Sequence, residues 1–299
     1  LAKCGGAAFL GGFILLKYPT SYEEQIALIR SRGCVVDNED FCRSVLEKVN
    51  YYRLSAYFIP FKAEDGNYKL GTDFNTIYKL YEFDRKLRSL IFTALEEVEV
   101  YLKSQIAYYH AHEYGADGYL TATPFISKHD HQKFLNKINE LIRSNSNVPF
   151  VKHHLNKYAG IFPIWVIMEL FTFGMVSYFY ADMPAKDKKF ISRRLYKTHP
   201  KNVESWLYCC TVLRNICAHY GRLYYRVFTS VPANITGINK NAERRLLGAL
   251  MALRELYPNK EKWNNEIVTS LAALVEDLQN ELNLWHIGFA KDWERLIRK

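Results

Sequence analysis

Residues 75–112 read NTIYKLYEFDRKLRSLIFTALEEVEVYLKSQIAYYHAH, and the spacing of their apolar side chains decides the fold class. Ile77, Leu80, Tyr81, Leu87, Leu90, Ile91, Ala94, Leu95, Val98, Leu102 and Ile106 recur at intervals of three and four. That period places them on one stripe of a helix, so a single helix of about 35 residues is expected, ending near His112. The charges Asp84, Arg85, Arg88, Glu96, Glu97 and Glu99 are assigned mostly to its other faces.

Helical signals continue in both directions. Thr20-Ser21-Tyr22-Glu23 carries a capping-box signature that opens a helix to about Arg32, stopped by Gly33. Asn38 or Asp40 caps a second helix, with Phe41, Val45, Leu46 and Val49 on its apolar face. Pro60, Asp65-Gly66 and Gly71-Thr72-Asp73 mark residues 60–73 as a loop or short hairpin. Downstream, helices are expected near 130–143, 164–180, 185–196, 202–217, 241–256 and 263–283, with a short segment at 149–158 and a short basic helix in the tail. Residues 164–180 are almost wholly apolar, with Glu169 alone in the middle, and read as the most buried helix. Strand patterning is nearly absent. The expected class is all-α: a helical bundle with additional N-terminal helices and a short loop or hairpin insertion, forming one domain over 17–299.

Composition narrows the function. Hydrophobic residues make up 49% and charged residues 24% of the 299, which describes a folded protein rather than a disordered one. The net charge of +9 favours a polyanionic partner over a neutral metabolite. The 22 tyrosines supply stacking faces beyond what a core consumes. The six cysteines form no C-x-x-C pair and read as free thiols of a reducing, cytoplasmic setting. Residues 5–16 are apolar and glycine-rich and too short to span a bilayer; residues 1–16 read as a leader foreign to the folded chain, with a native peripheral arm as the alternative, and no membrane role is expected. No Gly-rich phosphate loop, H-E-x-x-H or G-x-S-x-G occurs, which excludes the common ATPase, metalloprotease and serine-hydrolase signatures. His129-Asp130-His131 and His153-His154 lack a third ligand at metal-binding spacing, so no metal or other cofactor is expected.

The chemistry-bearing stretch is Arg214-Asn215-Ile216-Cys217-Ala218-His219, followed by Tyr220-Gly221-Arg222. A guanidinium holds phosphate and an imidazole moves protons, so the pair suits cleavage of an RNA backbone. The spacing alone is weak, because Arg194 and His199 repeat it. Five helical positions rotate by about 140°. Arg214 and His219 therefore converge only if the helix ends or kinks early, which Gly221 would permit, or if a second copy supplies facing residues. Tyr220, Arg222, Tyr224 and Arg226 interleave aromatics with cations, as RNA contacts do. A half-buried extended segment explains them equally well. Glu169 in an apolar helix calls for a basic partner, which the Arg214 segment would supply. Arg53 sits in the aromatic run Asn50-Tyr51-Tyr52-Arg53, where core packing with an ion-paired arginine is the favoured reading.

Leu213-Arg214-Asn215-Ile216-Cys217-Ala218-His219 resembles the R-N-x-x-x-H signature of HEPN nucleases. Tyr18-Pro19-Thr20-Ser21-Tyr22-Glu23-Glu24-Gln25-Ile26 and Asn50-Tyr51-Tyr52-Arg53-Leu54-Ser55-Ala56-Tyr57 resemble abortive-infection proteins of the AbiD/AbiF type. So do Tyr81-Glu82-Phe83-Asp84-Arg85-Lys86-Leu87-Arg88 and the segment from Pro163 to Gly174, together with Gly288-Phe289 and Asp292-Trp293 in the tail. The resemblance implies a bacterial phage-defence toxin with a HEPN-type bundle, acting as a metal-independent endoribonuclease in pairs. It implies Arg214, Asn215 and His219 as catalytic residues, a homodimer, an RNA substrate, and a small noncoding RNA that restrains the toxin. Other readings are a non-catalytic module that grips a structured RNA and a regulator that binds protein.

Overall fold

The computed structural model describes residues 9–10, 13–14, 18–278 and 281–299. The expected leader at 1–16 lies mostly outside them. Of that stretch, only a short antiparallel pairing of Phe9–Leu10 with Phe13–Ile14 is described. Contacts group the chain into two compact units, residues 1–82 and 83–299, where the sequence suggests one domain over 17–299.

In the first unit, Ser21 rather than Thr20 caps helix α1 (Tyr22–Ser31). Its hydroxyl accepts from the Glu24 amide while the Glu24 carboxylate accepts from the Ser21 amide, so two of the helix's orphan donors are satisfied reciprocally. Asn38 caps α2 (Glu39–Lys48) through the Phe41 amide, and Val45 and Leu46 are buried. Val49 ends that helix and is also buried. The Asn50 run forms a single helical piece, α3 (Tyr51–Ser55). It buries Leu54 and, just beyond, Tyr57 and Phe58. Tyr52 and Arg53 are exposed, so Arg53 is a surface residue and not part of a core. The expected loop or hairpin holds one isolated antiparallel bridge, Lys62 with Tyr68.

Helix α4 (Phe74–Tyr114, 41 residues) is the long helix expected from its apolar stripe. Leu87, Ile91, Ala94, Leu95, Val98, Leu102 and Ile106 are all buried. The second unit then adds α5 (His131–Ser144), capped by Asp130, and α6 (Pro149–Lys157), which starts on a proline where the missing amide costs nothing.

The apolar stretch 164–180 is not one helix. It breaks into α7 (Ile164–Ile167), a 3-10 turn and α8 (Phe173–Asp182). Phe171 turns extended, and Thr172 restarts the helix by accepting the Met175 amide. The break turns Glu169 to the surface, so it is neither buried nor paired with the Arg214 segment. A solvated carboxylate needs no cation, which is why the sequence argument for a buried partner fails here.

Helices α9 (Ala185–Tyr196) and α10 (Pro200–Ala218) follow. Helix α10 packs against α8, α9 and, after α11 (Lys240–Glu243), against α12 (Leu246–Leu256). Its Val203, Trp206, Leu207, Cys209, Cys210, Leu213 and Cys217 are buried. The most buried helix is α12, where nine of the eleven residues lie in the core. A helix apolar all round belongs inside, and α12 meets that condition better than 164–180. The chain continues through α13 (Lys260–Lys262), a π-type stretch at Trp263–Val268 and α14 (Thr269–Glu276), and closes with α15 (Trp293–Ile297). No helix among the described residues is long and apolar enough to cross a membrane.

One buried histidine links this core to pH. His110 is fully buried among Tyr114, Phe125 and Phe179, and neither ring nitrogen has a hydrogen-bond partner. Burial disfavours its charged form and pulls its pKa from the ordinary 6.5 down to about 4, against a small opposing pull from Asp187. Between these values the unfolded chain binds the proton and the folded chain does not. The stability tied to neutral His110 is therefore full above about pH 6.5 and is lost as pH falls toward 4, by on the order of 3 kcal/mol. Thermal midpoints measured from pH 7 to 4 should fall more steeply for the native chain than for His110→Phe.

Candidate functional site

Helix α10 ends on its chemistry. The Tyr220 amide donates to Cys217 and the Gly221 amide to Ile216, the paired bonds of a Schellman cap. His219 is the C-cap, with near-helical φ −95° and ψ 18°. The helix thus stays regular to its end, and Arg214 and His219 are not swung together by an early kink. Tyr220, not Gly221, takes the left-handed backbone, at φ 56°. Gly221 is required by space instead. A Cβ there would meet the Ile216 side chain at 3.0 Å and its carbonyl oxygen at 3.2 Å.

The turn after the helix is held from α4. Asp84 is fully buried and accepts from the backbone amides of Leu223 (3.1 Å) and Tyr224 (2.8 Å). Arg88, four residues on, pairs with the same carboxylate at 2.5 Å and reaches the Gly221 carbonyl at 3.5 Å. A buried carboxylate with two amides and a guanidinium is fully engaged, so it serves as a fixed anchor for residues 221–224. Sequence reading put Asp84 and Arg88 on the solvent side. Their spacing of four, acid before base, on an otherwise apolar helix was the signal available.

Arg214 lies with its guanidinium carbon 5.8 Å from the centre of the Phe92 ring, a cation–π placement. Its Nε is buried with no hydrogen-bond partner, and no carboxylate pairs with it among the described residues. Asn215 and His219, four apart, share an exposed face. Against Phe92 a groove of about 390 Å³ opens between α4 and the helix end, and none of Arg214, Asn215 and His219 is among the residues that line it. Arg85, Ser89, Phe92 and Thr93 line one wall, and Cys217, Ala218 and Tyr220 the other. The α4 wall was missed from sequence, though Arg85, Ser89 and Phe92 recur at i, i+4 and i+7.

The remaining expected contacts divide. Tyr220 is exposed and borders the groove. Arg222 and Arg226 are half-buried, and the Arg226 Nε donates to the Arg222 carbonyl at 2.6 Å, folding that stretch into a turn. Tyr224 is fully buried with its hydroxyl 2.6 Å from His286 Nδ1, so it is a core residue and offers no face to a base. Burial pushes the Cys217 thiol up to about 12, which removes thiolate chemistry from the middle of the motif. No group of three or more His, Cys, Asp or Glu among the described residues is placed to hold a metal.

The Abi-like protein family matches residues 44–225, from the end of α2 to the turn that Asp84 anchors. The chain belongs to the Abi-like family. Neither a curated protein nor a solved structure matches it. Abi-like proteins belong to abortive infection, a phage-defence response, and the matched region contains α10, its cap and the whole groove.

The left-handed tyrosine gives a test of this Abi-like site. Glycine is the usual residue at that cap position, because a side chain there costs about 1 kcal/mol. Tyr220→Gly should leave the thermal midpoint unchanged or raised. It should weaken RNA binding by about 1–3 kcal/mol if the ring stacks on a base. A lowered midpoint with unchanged RNA affinity would make Tyr220 purely structural.

Proposed function

We propose that this Abi-like protein is a HEPN-type endoribonuclease toxin that works as a homodimer. The observation that carries the reading is Arg214: a cation with no carboxylate partner, seated on Phe92 beside a groove, on the same helix end as exposed His219. An unpaired, positioned guanidinium is suited to an anionic ligand, and a phosphodiester fits its fork.

In the reaction, His219 takes the proton from an RNA 2′-hydroxyl, and the 2′-oxygen forms a bond to the adjacent phosphorus. The P–O5′ bond breaks, and the departing 5′-oxygen takes a proton from an imidazolium. Arg214 neutralises charge gathering on the non-bridging oxygens, and Asn215, beside His219 on the exposed face, orients the ring or the substrate. The product is a 2′,3′-cyclic phosphate. DNA lacks the internal nucleophile and is not a substrate. Because α10 is regular to Ala218, Arg214 and His219 of one chain point about 140° apart. A two-fold pair of α10 ends would supply the missing partners, which supports the dimer.

That same divergence favours one alternative, an RNA-gripping module without cleavage. Incubation of the purified protein with total RNA in the presence of a chelator separates the two. Cleavage lost in Arg214→Ala and His219→Ala supports the nuclease. Salt-sensitive binding without cleavage supports the module. A small noncoding RNA that occupies the groove would act as the restraint.

A further inference from the structure

The opposite end of α10 carries a second basic feature, larger than the groove against Phe92. An open cavity of about 930 Å³ lies where α9 passes into α10, lined by Lys188, Lys189, Arg193, Lys197, His199 and Lys201, among others. Among the described residues the only carboxylate on its wall, Glu204, is already 2.7 Å from Lys188. Lys189, Arg193, Lys197 and Lys201 are exposed, and their side chains have no acidic or hydrogen-bonding partner among the described residues. Four uncompensated cations around one concavity repel one another, and an anion entering it relieves that repulsion.

Their arrangement indicates a polymer rather than a single small ion. Lys189 and Arg193 fall four apart on α9, a rise of about 6 Å, and Lys197 follows at the C-cap, where a left-handed backbone (φ 50°) takes its side chain off the helical stripe while keeping it on the cavity wall. Successive phosphates of a nucleic-acid strand repeat on a similar scale. Lys201 and the first turn of α10 continue the positive field, since a helix start carries partial positive charge.

We propose that this cavity is an RNA-backbone exosite: it holds the phosphates of a single strand whose other part lies at the Arg214–His219 end. The two ends of the 19-residue α10 are about 28 Å apart. A short RNA fills one end only, whereas a longer strand engages both. The exosite would therefore give preference for long RNA, with no sequence reading, through backbone charge. The length preference rests on the nuclease reading; the binding does not.

The test uses Lys189→Gln/Arg193→Gln/Lys197→Gln, exposed changes whose fold is checked by circular dichroism. In an Arg214→Ala/His219→Ala background, anisotropy with a single-stranded 20-mer RNA should show at least tenfold weaker binding. The slope of log affinity against log salt should fall by about 2, three phosphates at roughly 0.7 each. With Arg214 and His219 intact, the triple variant should cut a trinucleotide at the parental rate and the 20-mer more slowly. Unchanged affinity and slope would overturn the exosite, as would loss of binding to phosphatidylserine vesicles with RNA binding intact. Loss of slope in a protein that cuts nothing would sustain the exosite and defeat the nuclease reading.

Discussion

Arg214→Ala and His219→Ala should each abolish most RNA cleavage while leaving the fold intact. Loss of the proton-transfer group costs a typical 10²–10⁴-fold, and loss of a preorganised charge at the phosphate roughly 10²–10³-fold. The His219 side chain is exposed at a helix cap, so its replacement should move the thermal midpoint little. Arg214 stacks on Phe92, and its truncation removes a cation–π contact of about 1 kcal/mol along with a buried orphan donor. The two effects oppose, so stability should stay within about 1 kcal/mol. Initial rates on a defined single-stranded RNA, with melting curves alongside, check both. The double variant should be hardly worse than either single one, because both groups act on the same step. A conservative Arg214→Lys should not rescue fully, since an ammonium cannot offer the two parallel donors of a guanidinium.

Asp84→Asn should be the most damaging single change to stability outside the apolar core. It removes the Asp84 charge from buried Arg88 and weakens the acceptors of the Leu223 and Tyr224 amides. Breaking a buried pair from one side typically costs about 3–5 kcal/mol. The same change frees the turn that follows His219, so activity should fall even at temperatures where the variant is folded. Asp84→Asn/Arg88→Met, which removes both charges, should recover part of the stability but not the turn's position. Denaturant midpoints of the three proteins read this directly. Equal midpoints for wild type and Asp84→Asn would show that the anchor contributes little.

What was legible in the sequence follows from which signals are local. The α4 stripe, the cap at Asn38 and the run of α9 depend on neighbours a few residues away, and they appear where the sequence places them, while the capping box of α1 lies one residue on, at Ser21 and Glu24. The break at 168–172 was hidden because an apolar stretch reads the same whether continuous or kinked, and Thr172 restarts the helix with a single hydroxyl. Glu169 followed that error to the surface. Tyr224 and Asp84 were misjudged for a different reason. Their burial is decided by each other's elements, 140 positions apart in sequence, through one carboxylate and two amides. The groove wall of Arg85, Ser89 and Phe92 belongs to the same class: its residues carry no motif until α10 is laid against them.

We propose that the α10 end cuts RNA through the RNA's own 2′-hydroxyl. The most direct measurement is mass spectrometry of the products from one RNA oligonucleotide and from the same oligonucleotide with a single 2′-deoxy sugar at the cut position. We expect a 2′,3′-cyclic phosphate and a 5′-hydroxyl from the first, and no cut at the substituted position in the second. A 5′-phosphate product, or equal cleavage of both oligonucleotides, would contradict the assignment of Arg214 and His219.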